Sequence, residues 1–248
     1  MRTASIFLAA VFLLGGLSPK AHATHKVYSP HVEEGEAEIE YRGHVDADDD
    51  SLKNKKNKHK LDLGYGFTDF WWGEVVFEYE KAPGENFNFE AVEFESVFHL
   101  TPQGAYFLDL GLYAEYSLAD DPGKADKIKF GPIFLKEFGR TEVTFNTLFR
   151  KEIGANQEKE FEFEYAAQAK YRFMPMFEIG LEAFGKPGEI NGFLATSEQE
   201  HQVGPVMYGK FPVTETSAFK YETGVLFGLT SGSPDATFKW LLEYEFRF

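Results

Sequence analysis

Carboxylates recur at every second position along most of this chain. Glu36, Glu38 and Glu40 stand in GEAEIEYRG, Asp62 in KLDLGYGF, and Glu74, Glu78 and Glu80 in EVVFEYE. Glu93, Glu115, Glu162, Glu182, Glu243 and Glu245 continue the series. Bases such as Arg42, Lys60, Arg150, Arg172 and Lys239 share this pattern, about one for every two acids. Side chains at spacing two lie on one face of an extended strand. Two chemistries follow. Around a hydrated space, the excess acids set up a negative potential that favours small cations or neutral solutes. Cross-paired, the same groups make a rigid network of salt bridges and water that closes the interior. The residues expected to matter most for passage are the acids Glu40, Asp62, Glu78, Glu93, Glu162 and Glu182, placed near mid-wall, with Arg150 and Arg172 among the opposing bases.

Other groupings offer less. Ser96 and His99 in ESVFHL are the nearest approach to a hydrolase pair, but their odd spacing sends them to opposite faces of a strand. No catalytic residue, and so no enzyme, is expected. DADDDS at Asp46–Ser51 begins like a calcium loop. Ser51 stands where the Gly belongs, however, and Asn57 where the closing Glu belongs. That stretch and the KNKKNKHK after it read as a self-neutralising solvated loop. The histidines are scattered without metal-ligand spacing, so neither a metal site nor a cofactor is expected. His25 and His31 lie in THKVYSPHVEE, a segment that could plug one mouth of the fold.

The elements that position these groups have period two rather than 3.6. Segments such as Leu61-Leu63-Tyr65-Phe67, Phe177-Ile179-Leu181-Ala183 and Phe238-Trp240-Leu242-Tyr244-Phe246 put apolar residues opposite the charges. About twelve such strands can be counted, joined alternately by long polar loops and tight turns. The tight turns include TDFW, TPQG, FGRT and FMPM, and the longest loop is FGKPGEINGFLATSEQE. FGPIF at Phe130–Phe134 and VGPVM at Val203–Met207 echo each other. Pro132 and Pro205 predict bulges that bend the wall, because proline donates nothing to the ladder.

Alternation does not say which face is inside. A closed barrel of about twelve strands is too wide to fill with one layer of apolar side chains. Strands of about 9 to 11 residues fit a tilted bilayer span. Aromatics such as Tyr41, Trp71, Tyr116, Tyr165 and Tyr221 gather near strand ends, as interfacial girdles do. An open sheet edge would not survive in lipid. The expected fold is therefore all-β: a closed antiparallel up-and-down transmembrane β-barrel of about twelve strands, apolar face outward.

Export fits this. Residues 1–23 carry Arg2, an apolar run and Ala21-His22-Ala23, the layout of a cleaved secretory signal. Residues 24–34 are then a periplasmic N-terminal segment and 35–248 the barrel. Loss of Arg2 and Lys20 takes the net charge from −15 to −17, which argues against nucleic acid as a partner. The chain has no cysteine, which excludes a disulfide scaffold and a thiol nucleophile.

The chain ends in WLLEYEFRF. Trp240, Leu242, Tyr244, Phe246 and the terminal Phe248 occupy alternate positions of this closing segment. The ending resembles that of Gram-negative outer-membrane β-barrels. The resemblance implies an outer-membrane location, contact with outer-membrane lipid and lipopolysaccharide, and delivery to the barrel-assembly machinery. In that setting Trp240, Tyr244, Phe246 and Phe248 serve insertion and anchoring. YGFTDFWWGEVVFEYE also resembles the MetA-pathway phenol-degradation barrels, with Phe67 in place of a Leu. Together these features predict a porin-like channel for small solutes or cations. The alternatives are a closed structural or surface-binding barrel acting through its external loops, and then a barrel lipid hydrolase.

Overall fold

A computed structural model describes residues 25–154, 157 and 160–248. The strands are β1 Glu36–Ala47, β2 Asn57–Gly66, β3 Trp71–Lys81, β4 Asn88–His99, β5 Asp109–Ala119, β6 Asp126–Phe138, β7 Thr141–Ile153, β8 Glu162–Met174, β9 Phe177–Glu189, β10 Gly192–Phe193, β11 Glu200–Thr214, β12 Ser217–Gly228 and β13 Ala236–Arg247. All neighbours pair antiparallel, and β8 pairs with β9 to complete the ring. The result is a closed barrel of twelve strands, with the two-residue β10 as an extra rung beside β9. The last strand returns to the first in full register, from Glu36↔Arg247 to Ala47↔Ala236. Closure satisfies every edge, as a lipid-embedded sheet requires.

The alternation sorts as the sequence predicts. Ile39, Leu61, Leu63, Phe94 and Leu242 point outward and stay exposed, while Glu40, Asp62, Glu93 and Glu182 on the opposite face are buried. Aromatic girdles mark both rims. Trp71 stacks between Phe67 and Phe98 at the short-turn end. His59 gathers Tyr41, Phe87 and Trp240 toward the long-loop end. Strands β1 and β13 begin and end at the short-turn end, so Phe248 lies there, packed edge-on against Phe246 at 5.3 Å.

Three local expectations need correction. TPQG is part of a longer connection, because Leu108 stays outside β5. The loop before β11 is shorter than FGKPGEINGFLATSEQE, since β9 runs through Pro187 to Glu189 and hairpins into β10. Pro132 and Pro205 make no bulge. Phe130↔Phe149 and Ile133↔Asn146 keep one register, as do Val203↔Phe227 and Val206↔Gly224. Each proline faces outward and the ladder skips a rung without slipping. The recorded register shifts lie elsewhere, for example between Pro212 and Thr214 and between Phe163 and Tyr165.

The inward face is not purely polar. Tyr113, Ile133 and Leu148, with Trp72 and Val97, form one buried apolar cluster inside the barrel. Ala166, Phe184, Val206, Tyr208 and Leu226 form a second. Single inward side chains do not fill a barrel of this width. Additional chain does, and it comes from the N-terminal segment.

Candidate functional site: a lumen threaded by the N-terminal strap

Residues 25–33 run inside the barrel. The sequence places 24–34 on the periplasmic side, at most across the mouth. The structure threads this strap from Gly35 at the short-turn end to His25, beyond mid-wall. It carries no strand of its own, and every turn of it is tied to the wall. Tyr28 N donates to Asn146 Oδ1 at 2.8 Å, and Asn146 Nδ2 donates to Tyr28 O at 2.9 Å. One asparagine thus satisfies both backbone groups of a residue that would otherwise be orphaned. The Tyr28 ring lies 4.0 Å from the Tyr113 ring, and Tyr113 donates its hydroxyl to that of Tyr28. Tyr28 completes the first apolar cluster, and Val27 packs on the second.

The polar strap residues meet polar wall. Lys26 Nζ lies 3.1 Å from Glu40, 3.5 Å from Glu74 and 3.7 Å from Asp62. His31 Nε2 sits 3.1 Å from Asp109. Glu33 pairs with Arg247 where the strap leaves the lumen. At the far end, His25 Nε2 donates to Gln202 Oε1 at 2.7 Å, and its ring meets His44 edge-on at 4.4 Å.

Three strap groups titrate unusually, Tyr28 being raised by burial. Burial, with Lys239 nearby, pushes His25 down to about 4, against the pull of its Gln202 hydrogen bond. Burial alone would lower Lys26, but Glu40, Glu74 and Asp62 outweigh it and hold the ammonium well above its ordinary range. The consequence for His25 has a definite sign. A histidine whose docked pKa lies below its free value stabilises docking above about 6.5 and loses that contribution as pH falls toward about 4. The strap is therefore expected to loosen between those values. Its facing charges are Lys239, Glu182 and Lys58, with His44 in contact. A cysteine placed at Val27, the only one in the chain, should react with a maleimide faster at pH 4.5 than at pH 7 once rates are divided by the thiolate fraction. Equal labelling, corrected for thiolate fraction, counts against this.

The charged residues selected from the sequence fall into linked groups. Arg42 joins Glu40 at 3.4 Å, Asp62 at 2.9 Å and Glu95 at 3.2 Å. Glu78 lies 2.9 Å from Lys58 and 3.0 Å from Lys60, and Lys60 also pairs with Glu93. Glu182 receives Lys239 at 2.6 Å and the Tyr208 hydroxyl at 2.8 Å. Arg150 pairs with Glu162, which also meets Lys186 at 3.2 Å. Glu162 is the first residue of β8, so it sits at the long-loop rim and not at mid-wall. Arg172 sits at the opposite rim, on Glu137 and Glu142. Each of the six acids has a basic partner.

Excess acid remains in one place. A cavity of about 500 Å³ occupies the short-turn half below the strap. Nine glutamates line it, Glu33, Glu36 and Glu38 among them, against four lysines, with Trp72, Tyr208 and Tyr221 in its wall. Glu38, Glu74 and Glu222 are not among the acids singled out from the sequence, because the alternation makes all inward acids alike. Elsewhere, Glu93, Glu95 and Glu115 come within 4.8 Å of one another, and Lys60, Arg42 and Lys129 supply positive charge there. Ser96 accepts a bond from Trp71 on the outer face, while His99 meets His31 edge-on inside, so the two lie on opposite faces. The Asp46–Ser51 acids fasten their own turn. Asp48 Oδ1 accepts from Asp50 N at 2.6 Å, and Asp48 Oδ2 from Asp235 N at 3.2 Å.

The fold is that of the outer-membrane porin barrels. The NanC porin superposes with a TM-score of 0.57 over 85% of this chain and 100% of its own, at 9% identity. The KdgM porin gives 0.51 over 85% and 99%, at 11% identity. A second KdgM structure, in complex with disordered oligogalacturonate, gives 0.52 at 10% identity. No family model matches the chain, so the MetA-pathway resemblance gains no support, and no curated protein matches it either.

Proposed function

We propose that this chain is a porin-like outer-membrane channel that favours small cations and that its N-terminal strap holds closed. The observation that carries the reading is the cavity with nine glutamates against four lysines, inside a barrel of porin fold. A low-dielectric wall focuses that excess charge on whatever enters. The short-turn end, where Phe248 lies, is the periplasmic end in this reading, and the long loops meet lipopolysaccharide. Oligogalacturonate, the ligand of one KdgM structure, is a polyanion. The surplus of glutamates here argues for the opposite sign of solute.

The test is a reversal potential across a salt gradient in planar bilayers, on protein lacking residues 25–33. Cation preference that falls when Glu38 and Glu222 become Gln supports the proposal; anion preference overturns it. A second reading has its own support. Tyr28 and Val27 each complete an apolar cluster, which suits a permanently closed barrel acting through its loops. Silence from the shortened chain would favour that reading.

The terminal Phe offers a separate expectation. Phe248 is 98% exposed, so little folding energy depends on it. Its deletion should leave refolding in detergent unchanged while lowering barrel assembly in cells, more than deletion within any loop. Heat-modifiable gel mobility of membrane fractions reads this directly. Equal loss in both settings would make Phe248 a stability residue and remove its delivery role.

A further inference from the structure

Lys26 shows what the acidic lumen holds. Its ammonium faces three carboxylates on neighbouring strands, Glu40, Asp62 and Glu74, with the Tyr28 ring 5.6 Å away. The trio is built rather than accidental. Trp72 Nε1 donates to Glu74 Oε1 at 2.6 Å, and Arg42 holds Asp62 at 2.9 Å. One tethered ammonium nevertheless leaves the site under-satisfied. Asp62 is fully buried, yet beyond its ion pairs with Arg42 and Lys26 neither of its oxygens accepts a well-directed hydrogen bond, and Oε1 of Glu40 has only Arg42 at 3.4 Å. Buried carboxylate oxygens in that state call for a better-placed donor. The site also opens on the large cavity, since Lys26, Glu40 and Glu74 line it together with Glu38.

We propose that Glu40, Asp62 and Glu74 form a binding site for aliphatic amines, which Lys26 occupies as a tethered competitor. The neighbouring residue defines the ligand further. Glu38 lies two residues before Glu40 on the same face of β1, about 7 Å along the strand. Among the described residues Glu38 has no salt-bridge partner. A four-carbon diamine spans that interval, with one ammonium among the trio and the other on Glu38. Displacing Lys26 breaks its three ion pairs and loosens the strap on the His25 side of Tyr28. The amine thus acts as an opener as well as a ligand. The inference rests on the channel reading only for the ligand's route in, not for binding itself.

Calorimetry with 1,4-diaminobutane on the refolded full chain tests the site. Lys26→Met keeps most of the side chain's bulk and removes the competitor, so the diamine should bind at least about tenfold tighter than to wild type. Adding Glu38→Gln should reduce the diamine toward the affinity of n-butylamine. Equal affinity for wild type and Lys26→Met overturns the proposal. So does equal binding of Mg²⁺ at matched ionic strength, which would show general attraction to acid. If Lys26→Met does not fold, the lone cysteine at Val27 decides. The diamine should speed its maleimide labelling, NaCl of equal ionic strength should not, and identical rates overturn the site. A barrel that conducts but ignores the diamine loses the site and keeps the channel. Diamine binding without conductance does the reverse.

Discussion

Removal of residues 25–33 is expected to raise bilayer conductance by about three orders of magnitude over the intact chain. The size follows from what holds the strap. Asn146 makes two buried hydrogen bonds to Tyr28, worth about 1 kcal/mol each. Burial of the Tyr28 ring against Tyr113 adds about 2 kcal/mol. These terms alone put the undocked state at about 0.1%. Deletion makes it the only state. The wall should persist, because its hydrogen bonds run strand to strand and none of the twelve ladders passes through the strap. Asn146→Ala gives a graded version. Losing both bonds costs about 2 kcal/mol, so the open population should rise about thirtyfold. An intact chain that already conducts like the deletion would remove the strap as the closing element. Circular dichroism of the deleted protein guards against a trivial loss of fold.

That the sequence placed this segment at the mouth and not deep in the lumen has a physical cause. HKVYSPHVEE makes no ladder and so carries no period, and its contacts lie far along the chain, with Asn146 and Gln202 among them. The barrel was legible because every strand repeats one rule, polar to the lumen and apolar to lipid, and a one-residue slip would invert it. The inward apolar residues had a signal that a strict two-beat reading discards. Val75-Val76, Leu148-Phe149, Ala183-Phe184, Val206-Met207, Leu226-Phe227 and Leu241-Leu242 are adjacent apolar pairs. In a strand one member of each must face inward, and Val76, Leu148, Phe184, Val206, Leu226 and Leu241 do. Their number was the sign that something apolar fills the lumen. The candidate acids were legible as inward, but their pairing was not. Which carboxylate meets which ammonium depends on strand stagger around the ring, and alternation contains no information on stagger.

Gly131→Ala and Gly204→Ala are each expected to cost about 3 kcal/mol, enough to impair assembly. The echo between FGPIF and VGPVM explains why. A Cβ on Gly131 would stand 1.8 Å from the carbonyl oxygen of Thr147, and one on Gly204 1.9 Å from that of Val225. Both obstacles are backbone of the next strand, so no side chain can swing aside and the wall must move. Next in each motif comes an outward proline that skips a rung, and then a fully buried aliphatic. Ile133 belongs to the cluster that receives Tyr28, and Val206 to the one that receives Val27. The two motifs are thus one device used twice, drawing strands close and setting a seat for the strap. Gly192→Ala is the control, because its Cβ would meet open space. Urea unfolding in detergent should separate the pair from the control. The strap seats should also suffer, so a Val27 cysteine should label faster in either motif variant than in Gly192→Ala. Equal stability of all three would leave the echo without structural meaning.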